Sequence, residues 1–311
     1  MHNDYQEVVK EGWEFRIKGC NQFRFVKKLH SLKKPLRNLN IVHFSYISTR
    51  ADKANAELMD LQQLLHDNPF DTDIQKRMVE KNNEASKLRE VNKMFLDQLA
   101  KGKYLKECDK SMSFFHTLMR RHTSRNHISA IMKNKGEQTN SQTQVAEEFL
   151  RFYKELLGKE VYNIMVDDRI ITKGRILNDS QRDQIMTHIT NEEIKQALFS
   201  IGDGKSLGPD GFSVCFFKRS WNTVGKEFTN VVKEFFSTEK LLKQINHTII
   251  AMFPKSSHAS TINDFRPIAC CNVMYKVIAK IIAARIKPCL EDIFNPAQSA
   301  FVKHRIVDFL S

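Results

Sequence analysis

The sequence predicts an α+β fold, a mainly helical N-terminal region followed by a mixed C-terminal one. Three observations carry that prediction. From about Ala51 to Ala100 apolar residues recur every three or four positions, the spacing of a helix face. An apolar run, His247–Phe253, and a returning segment, Asp264-Phe-Arg-Pro-Ile268, flank a polar loop in the manner of a β-hairpin. Glycines crowd one turn, Gly202–Gly211, set between further helical stretches. With 311 residues and 41% hydrophobic content, the chain is long and apolar enough to bury a sizeable core in one or two domains.

Taken in order, the first element is distinguished by charge. Between Phe15 and Ala51 stand nine basic residues, among them Lys27, Lys28, Lys33 and Lys34, and no acid. Phe15, Phe23, Phe25, Phe44 and Tyr46 are interleaved with them. Ala54, Leu58, Leu61 and Leu65 then mark one helix face. Pro69 breaks the pattern, and Asp71 or Thr72 can cap the next helix, which carries Ile74, Met78, Leu88, Phe95 and Leu99. Two helices joined by a short turn predict an antiparallel hairpin. A coiled-coil dimer is the rival, opposed by short heptads and by Lys81 and Asn92 on the seam.

A second basic stretch follows from Lys101 to Lys135, with Arg120 and Arg121 in it and only Glu107 and Asp109 against it. An amphipathic helix comes next, with Val145, Phe149, Phe152, Leu156 and Leu157, ended by Gly158. Thr190-Asn-Glu-Glu193 opens another helix as a capping box, with Ile194, Ala197 and Leu198 on its buried face. After the predicted hairpin, Met274, Val277, Ile278, Ile281, Ile282, Ile286 and Leu290 mark one face of a last helix.

Composition excludes several classes. The most apolar stretch, Val277–Ile286, is broken by Lys280 and Arg285, and a spanning helix needs about 20 mostly apolar residues. Met1–Glu11 has no apolar run and so no secretory signal, which points inside the cell, nucleus and cytoplasm both open. Six cysteines without a C-x-x-C pair predict reduced thiols, and eleven histidines without metal-ligand spacing predict no structural metal. A net charge of +13 favours a polyanionic partner, since grouped lysines and arginines displace counterions from a phosphate backbone. RNA or DNA bound through the two basic stretches is the expected partner; a solvated helix face is the bland alternative. Gly204-Lys205-Ser206 fails as a nucleotide-binding P-loop, because Phe199 stands where that motif needs glycine and the preceding segment reads as helix.

Several ordered blocks carry a family resemblance. Lys205-Ser-Leu-Gly-Pro-Asp-Gly-Phe212 resembles the element that begins the reverse-transcriptase domain of LINE-type (non-LTR) retrotransposons. Asn246–Lys255, then Asp264–Lys276, then Pro296-Ala-Gln-Ser-Ala-Phe-Val302 are similar to the blocks that follow it, in order and spacing. Gly19-Cys20, Phe23–Leu29, Leu32–Leu36, Phe114–His116 and Phe152–Leu157 resemble the linker between endonuclease and polymerase in plant members. The resemblance covers nearly the whole chain. It implies a helical basic linker over residues 1–158 and an incomplete reverse-transcriptase fingers/palm domain over 159–311.

In that family a fingers hairpin places basic side chains on the triphosphate of the incoming nucleotide. Lys255 and Arg266, which flank the hairpin loop, are the residues to which the resemblance gives that role; an ion pair with Asp264 is the structural alternative for Arg266. Lys205 and Asp210 are weaker candidates, since the needs of the turn itself can account for those residue types. His304 and Cys108 stand where the family commonly has glycine, departures that suit a decaying copy. The complete enzyme holds Mg²⁺ on palm aspartates. The sole tandem pair here, Asp167-Asp168, precedes the fingers blocks and lacks the aromatic that goes with it. The expectation is therefore a reverse-transcriptase fragment with no catalytic residues, no cofactor of its own and no polymerase activity. The alternative is a basic RNA- or DNA-binding protein derived from such an element.

Overall fold

The structure, a computed structural model, describes residues 4–100, 127–133, 136–158 and 176–293. It is mostly helical with one two-stranded antiparallel sheet, an α+β composition. The chain forms two compact units interleaved along the sequence. One comprises Met1–Tyr5, Lys33–Ser129 and Ser256–Ala259; the other comprises Gln6–Leu32, Ala130–Lys255 and Ser260–Ser311.

After α1 (Tyr5–Glu11), helix α2 (Asn21–Phe44) lends its residues up to Leu32 to the second unit and the rest to the first. The first unit is dominated by α3 (Ile47–Asp67) and α4 (Thr72–Ala100), packed as the expected antiparallel hairpin. Asp71 supplies the cap, its carboxylate accepting from the backbone N–H of Asp73 (2.9 Å) and Ile74 (3.1 Å). Ala54, Leu58 and Ala85 form the seam with Met78 and Leu88 against them. Asn92 is buried in it, accepting from the Ser48 hydroxyl at 2.8 Å. Phe95 is not in the seam: Leu96, four residues after Asn92, is buried instead and Phe95 faces out. Lys81 leaves the seam sideways to reach Glu57 at 2.6 Å and Glu84 at 2.8 Å.

The second unit is built on aromatics. It contains α5 (Gln142–Gly158), α6 (Asp179–Met186), α7 (Asn191–Phe199), α8 (Val214–Arg219), α9 (Trp221–Thr238), α10 (Lys243–Asn246) and α11 (Val273–Ile293). Phe25 of α2 stacks on Phe217 at 6.2 Å and meets Phe228 and Trp13 edge-on at 5.8 and 5.4 Å. Hydrogen bonds join the same distant segments: Gln22 donates to the Lys240 carbonyl and accepts from the Leu242 amide, and the Asn21 amide donates to Glu234. Val145 and Phe149 bury the first turns of α5, Phe149 edge-on to Phe265, whereas Leu156 and Leu157 near its end are exposed.

Two helices depart from the sequence reading for one reason. Thr190 caps α7 as expected, its hydroxyl accepting from the Glu193 amide, but the Glu193 carboxylate does not return to close the box. It meets Arg285 of α11 in a two-pronged pair of 2.8 and 2.7 Å. Arg285 also donates to the carbonyls of Ile185 and Thr187, closing the end of α6. The buried stripe of α11 therefore runs Met274, Val277, Ile278, Ile281 and then through Arg285 to Cys289, while Ile282 and Ile286 are left partly exposed. A charge on a buried stripe is tolerated because both partners are hydrogen-bonded.

Strands β1 (Thr248–Pro254) and β2 (Phe265–Cys271) pair from Thr248↔Cys271 to Pro254↔Phe265. The Lys255 amide continues the ladder to the Asp264 carbonyl at 2.8 Å. Alternation back from that bond makes Pro254↔Phe265 and Met252↔Pro267 non-hydrogen-bonded pairs. Both proline nitrogens then face outward, so neither breaks the ladder. Met132 supports the loop from outside, its amide donating to the Ser260 carbonyl at 2.8 Å.

Candidate functional site

Lys255 and Arg266 are both exposed. Arg266 pairs with Phe253 across the hairpin, and Lys255 lies two residues beyond Phe253, so strand alternation sets the two cations on one face. The loop between them is tightly made. The Asp264 carboxylate accepts from the amide and hydroxyl of Thr261, each at 2.8 Å, and from the Ser260 amide at 3.1 Å. These donors, the Thr261 amide first, hold its pKa below the usual carboxylate range. Asp264 is thus engaged with its own turn. Among the described residues, no carboxylate forms an ion pair with Arg266. Lys255 donates one N–H to the Asn263 carbonyl at 2.6 Å, which fixes its stem and leaves two protons.

The α2 lysines divide. Lys27, Lys33 and Lys34 are exposed, while Phe25, Leu29 and Leu32 form the buried line of the helix. Lys27 lies over the Phe23 ring, 5.6 Å from its centroid. Lys28 points the other way. Buried, it pairs with Glu227 at 2.6 Å and sits 5.4 and 5.9 Å from the Trp13 and Phe15 rings. Its charge serves packing, and sequence alone does not separate it from its neighbour. Phe25 is likewise a core residue rather than a stacking platform. Arg120 and Arg121, with most of the second basic stretch, lie outside the described residues, as do Cys108, Asp167, Asp168 and His304.

The glycine-rich turn and the segment after β2 form a built junction. Asn272 is 2% exposed; its side-chain amide donates to the carbonyls of Gln244 (3.0 Å) and Ile245 (3.1 Å), and its oxygen accepts from the Asp210 amide at 3.1 Å. Gly208 is pressed so closely on it that a Cβ there would lie 2.3 Å from the Asn272 oxygen. Asp210 accepts from the Phe212 amide at 3.0 Å, and Gly211 takes the left-handed φ of 79° that the turn demands. Asp210 is thus accounted for by the turn itself. Lys276 donates to the Ser206 carbonyl, while Lys205 is exposed. The blocks Lys205–Phe212 and Asp264–Lys276, far apart in sequence, meet here, with Asn272 as the residue that sequence reasoning passed over. Its position directly after β2 was visible; its three partners were not.

A cleft of about 1000 Å³ lies between the end of α6, α9 and the second half of α11, lined by Ile185, Ile189, Lys233, Ile282 and Ile286 among others. None of the candidate site residues among those described lines it. Among the described residues no group of three or more His, Cys, Asp or Glu side chains is arranged to hold a metal. No described helix is long and apolar enough to cross a membrane.

No protein-family model matches the chain. Over 253 residues, 81% of its length, it is 24% identical to the Transposon TX1 uncharacterized 149 kDa protein of Xenopus laevis. The chain spans 19% of that protein's length. The likeness is to a transposon protein.

Proposed function

We propose that the chain is the fingers segment of a retrotransposon reverse transcriptase of the LINE type, with the basic linker that precedes it. In this reading the hairpin offers Lys255 and Arg266 to a nucleoside triphosphate, and α2 offers Lys27, Lys33 and Lys34 to a nucleic-acid backbone. The observation that carries it is the pair of exposed cations on one face of the hairpin, with the neighbouring carboxylate of Asp264 committed to its own loop. A guanidinium fork beside a lysine suits a polyphosphate, the fork giving direction and the lysine a point charge. Lys28 has no part in it. No chemical step is assigned to these residues: primer extension by the chain alone, with template, primer, Mg²⁺ and nucleotides, is expected to equal the no-enzyme control.

A second reading, a nucleic-acid-binding protein derived from such an element, is favoured by the exposed lysines of α2. One set of titrations separates the two. Binding of a labelled single strand of RNA or DNA is followed by anisotropy at several salt concentrations, and binding of a deoxynucleoside triphosphate with Mg²⁺ by calorimetry. Changing Lys27, Lys33 and Lys34 to glutamine is expected to lower the salt slope by about 2–3, at roughly 0.7–0.9 for each phosphate no longer neutralised. Lys255→Gln with Arg266→Gln is expected to weaken the triphosphate about tenfold and leave the single strand unchanged. A triphosphate affinity indifferent to both substitutions removes the polymerase reading, and an unchanged salt slope removes the α2 surface.

A further inference from the structure

We propose that Asn272 is a positioning residue that fixes the direction in which the β-hairpin leaves the body of the second unit, and with it where Lys255 and Arg266 point. Its meaning for function rests on the triphosphate reading above; the geometric claim stands on its own.

The hairpin has two feet. β1 rises from Thr248, just after α10, and β2 returns at Cys271, just before Asn272. One side-chain amide holds both: Asn272 belongs to the second foot and donates to Gln244 and Ile245, the residues that lead into the first. Its oxygen holds the third partner, the glycine turn, through the Asp210 amide. A buried primary amide has two donors and one acceptor oxygen, and here each is used, so rotating it breaks at least two bonds in a site closed to solvent. Gly208 closes the remaining side, because only a residue without Cβ lets the turn lie against the Asn272 backbone. Lys276, one turn into α11, ties the same loop from beyond through the Ser206 carbonyl.

Leverage gives this root its weight. Arg266 stands six residues up the strand from Asn272, about 20 Å at 3.3 Å per residue, so each 10° of tilt at the root carries it roughly 3–4 Å. A charge-assisted hydrogen bond tolerates a few tenths of an ångström. A loose root therefore leaves the hairpin folded and its cations misdirected.

The test is a pair of spin labels, attached through keto side chains because the protein has six native cysteines, at Asn263 near the tip and Lys226 on α9. Pulsed EPR reads the distribution of distances between them. Asn272→Ala and Gly208→Ala, which act on the junction from opposite sides, are each expected to broaden the distribution about twofold. Ile194→Val, a core change remote from the root, serves as the control for lost stability and is expected to leave the width unchanged. Should Asn272→Ala not fold, Asn272→Ser, which keeps a hydroxyl at shorter reach, carries the same expectation. Widths equal to the parent's in the junction variants overturn the proposal, as does equal broadening in the control. In parallel, the deoxynucleoside triphosphate with Mg²⁺ is titrated into the same variants, with affinity expected to fall about tenfold. If the parent itself binds no triphosphate, the polymerase reading fails while the distances still decide the role of Asn272.

Discussion

In the α3–α4 hairpin the buried partners are near in sequence, Ser48 reaching Asn92 across 44 residues, whereas in the second unit Lys28 meets Glu227 across 199. The materials differ as well. Alanines and leucines fill the helical seam, letting two helices approach closely, while Phe25, Phe212, Phe217, Phe228 and Trp13 fill the other core. From Ile47 to Ala100 ten acids offset eight basic residues, unlike the acid-free stretch that precedes it. A low-contact-order hairpin closes early and cheaply. The aromatic core needs distant segments to meet first, and each doubling of a closing loop adds about 0.6 kcal/mol.

That contrast breaks most directly at Phe228, which is fully buried. Phe228→Ala is expected to cost about 3–5 kcal/mol. Amide exchange should then accelerate through α7, α8, α9 and α11 and stay unchanged in α3 and α4. Equal loss of protection in the helical hairpin would make the two units a single cooperative body. The reverse experiment is Leu58→Ala in the seam, expected to cost about 2–3 kcal/mol and to be felt in α3 and α4 alone.

A smaller effect separates the two kinds of lysine on α2. Lys28→Gln is expected to lower stability by about 1–2 kcal/mol, between the values for exposed and buried pairs, with single-strand binding unaltered. Lys27→Gln should do the opposite: leave the melting temperature in place and weaken binding. A Lys28 variant that weakens binding at unchanged stability would return it to the nucleic-acid surface.

The smallest effect is with pH. The hydrogen bond from Lys81 holds Glu57 below its ordinary value, and the same contact raises Lys81 above its own. Stability contributed through Glu57 is present above the ordinary carboxylate range and is lost as pH falls through its lowered value. The part contributed through Lys81 is present below the ordinary lysine value and is lost as pH rises through its raised one. Exchange in α3 and α4 is therefore expected to quicken a few-fold as pH falls below the ordinary carboxylate range, and again as it rises above the ordinary lysine value. Exchange around the Phe25 cluster that tracks the same two limbs would show that this acid and alkaline response is global.

What the sequence made legible follows from the same division. Local rules were enough for α3 and α4: the spacing of Ala54, Leu58 and Leu61, the break at Pro69 and the cap at Asp71. They also found the β-hairpin, whose apolar run and returning segment are bounded by Pro254 and Asp264. They failed where a residue's partner is remote. Glu193 satisfies every local requirement of a capping box, yet Arg285 outcompetes the backbone for it. Ile282 and Ile286 fit a helical stripe by spacing, but that stripe turns through Arg285 because Glu193 waits there. Of the candidate site, the two hairpin cations were proposed from the resemblance and their place beside the loop, while the division of Lys27 from Lys28 depends on which face of α2 the aromatic core claims.

The outward proline nitrogens of the β-hairpin make its two flanks unequal. Along β2 the outward positions are Phe265, Pro267, Ala269 and Cys271; the Phe265 amide already donates to the Ile262 carbonyl, and Pro267 has nothing to donate. Along β1 they are Thr248, Ile250 and Met252, with Pro254 only at the far end. Three successive donors with no partner strand among the described residues are a template, and a flank interrupted by proline is not. The two flanks are thus unlike as templates: an extended segment added to the ribbon, from this chain or another, meets its unbroken run of donors along Thr248–Met252.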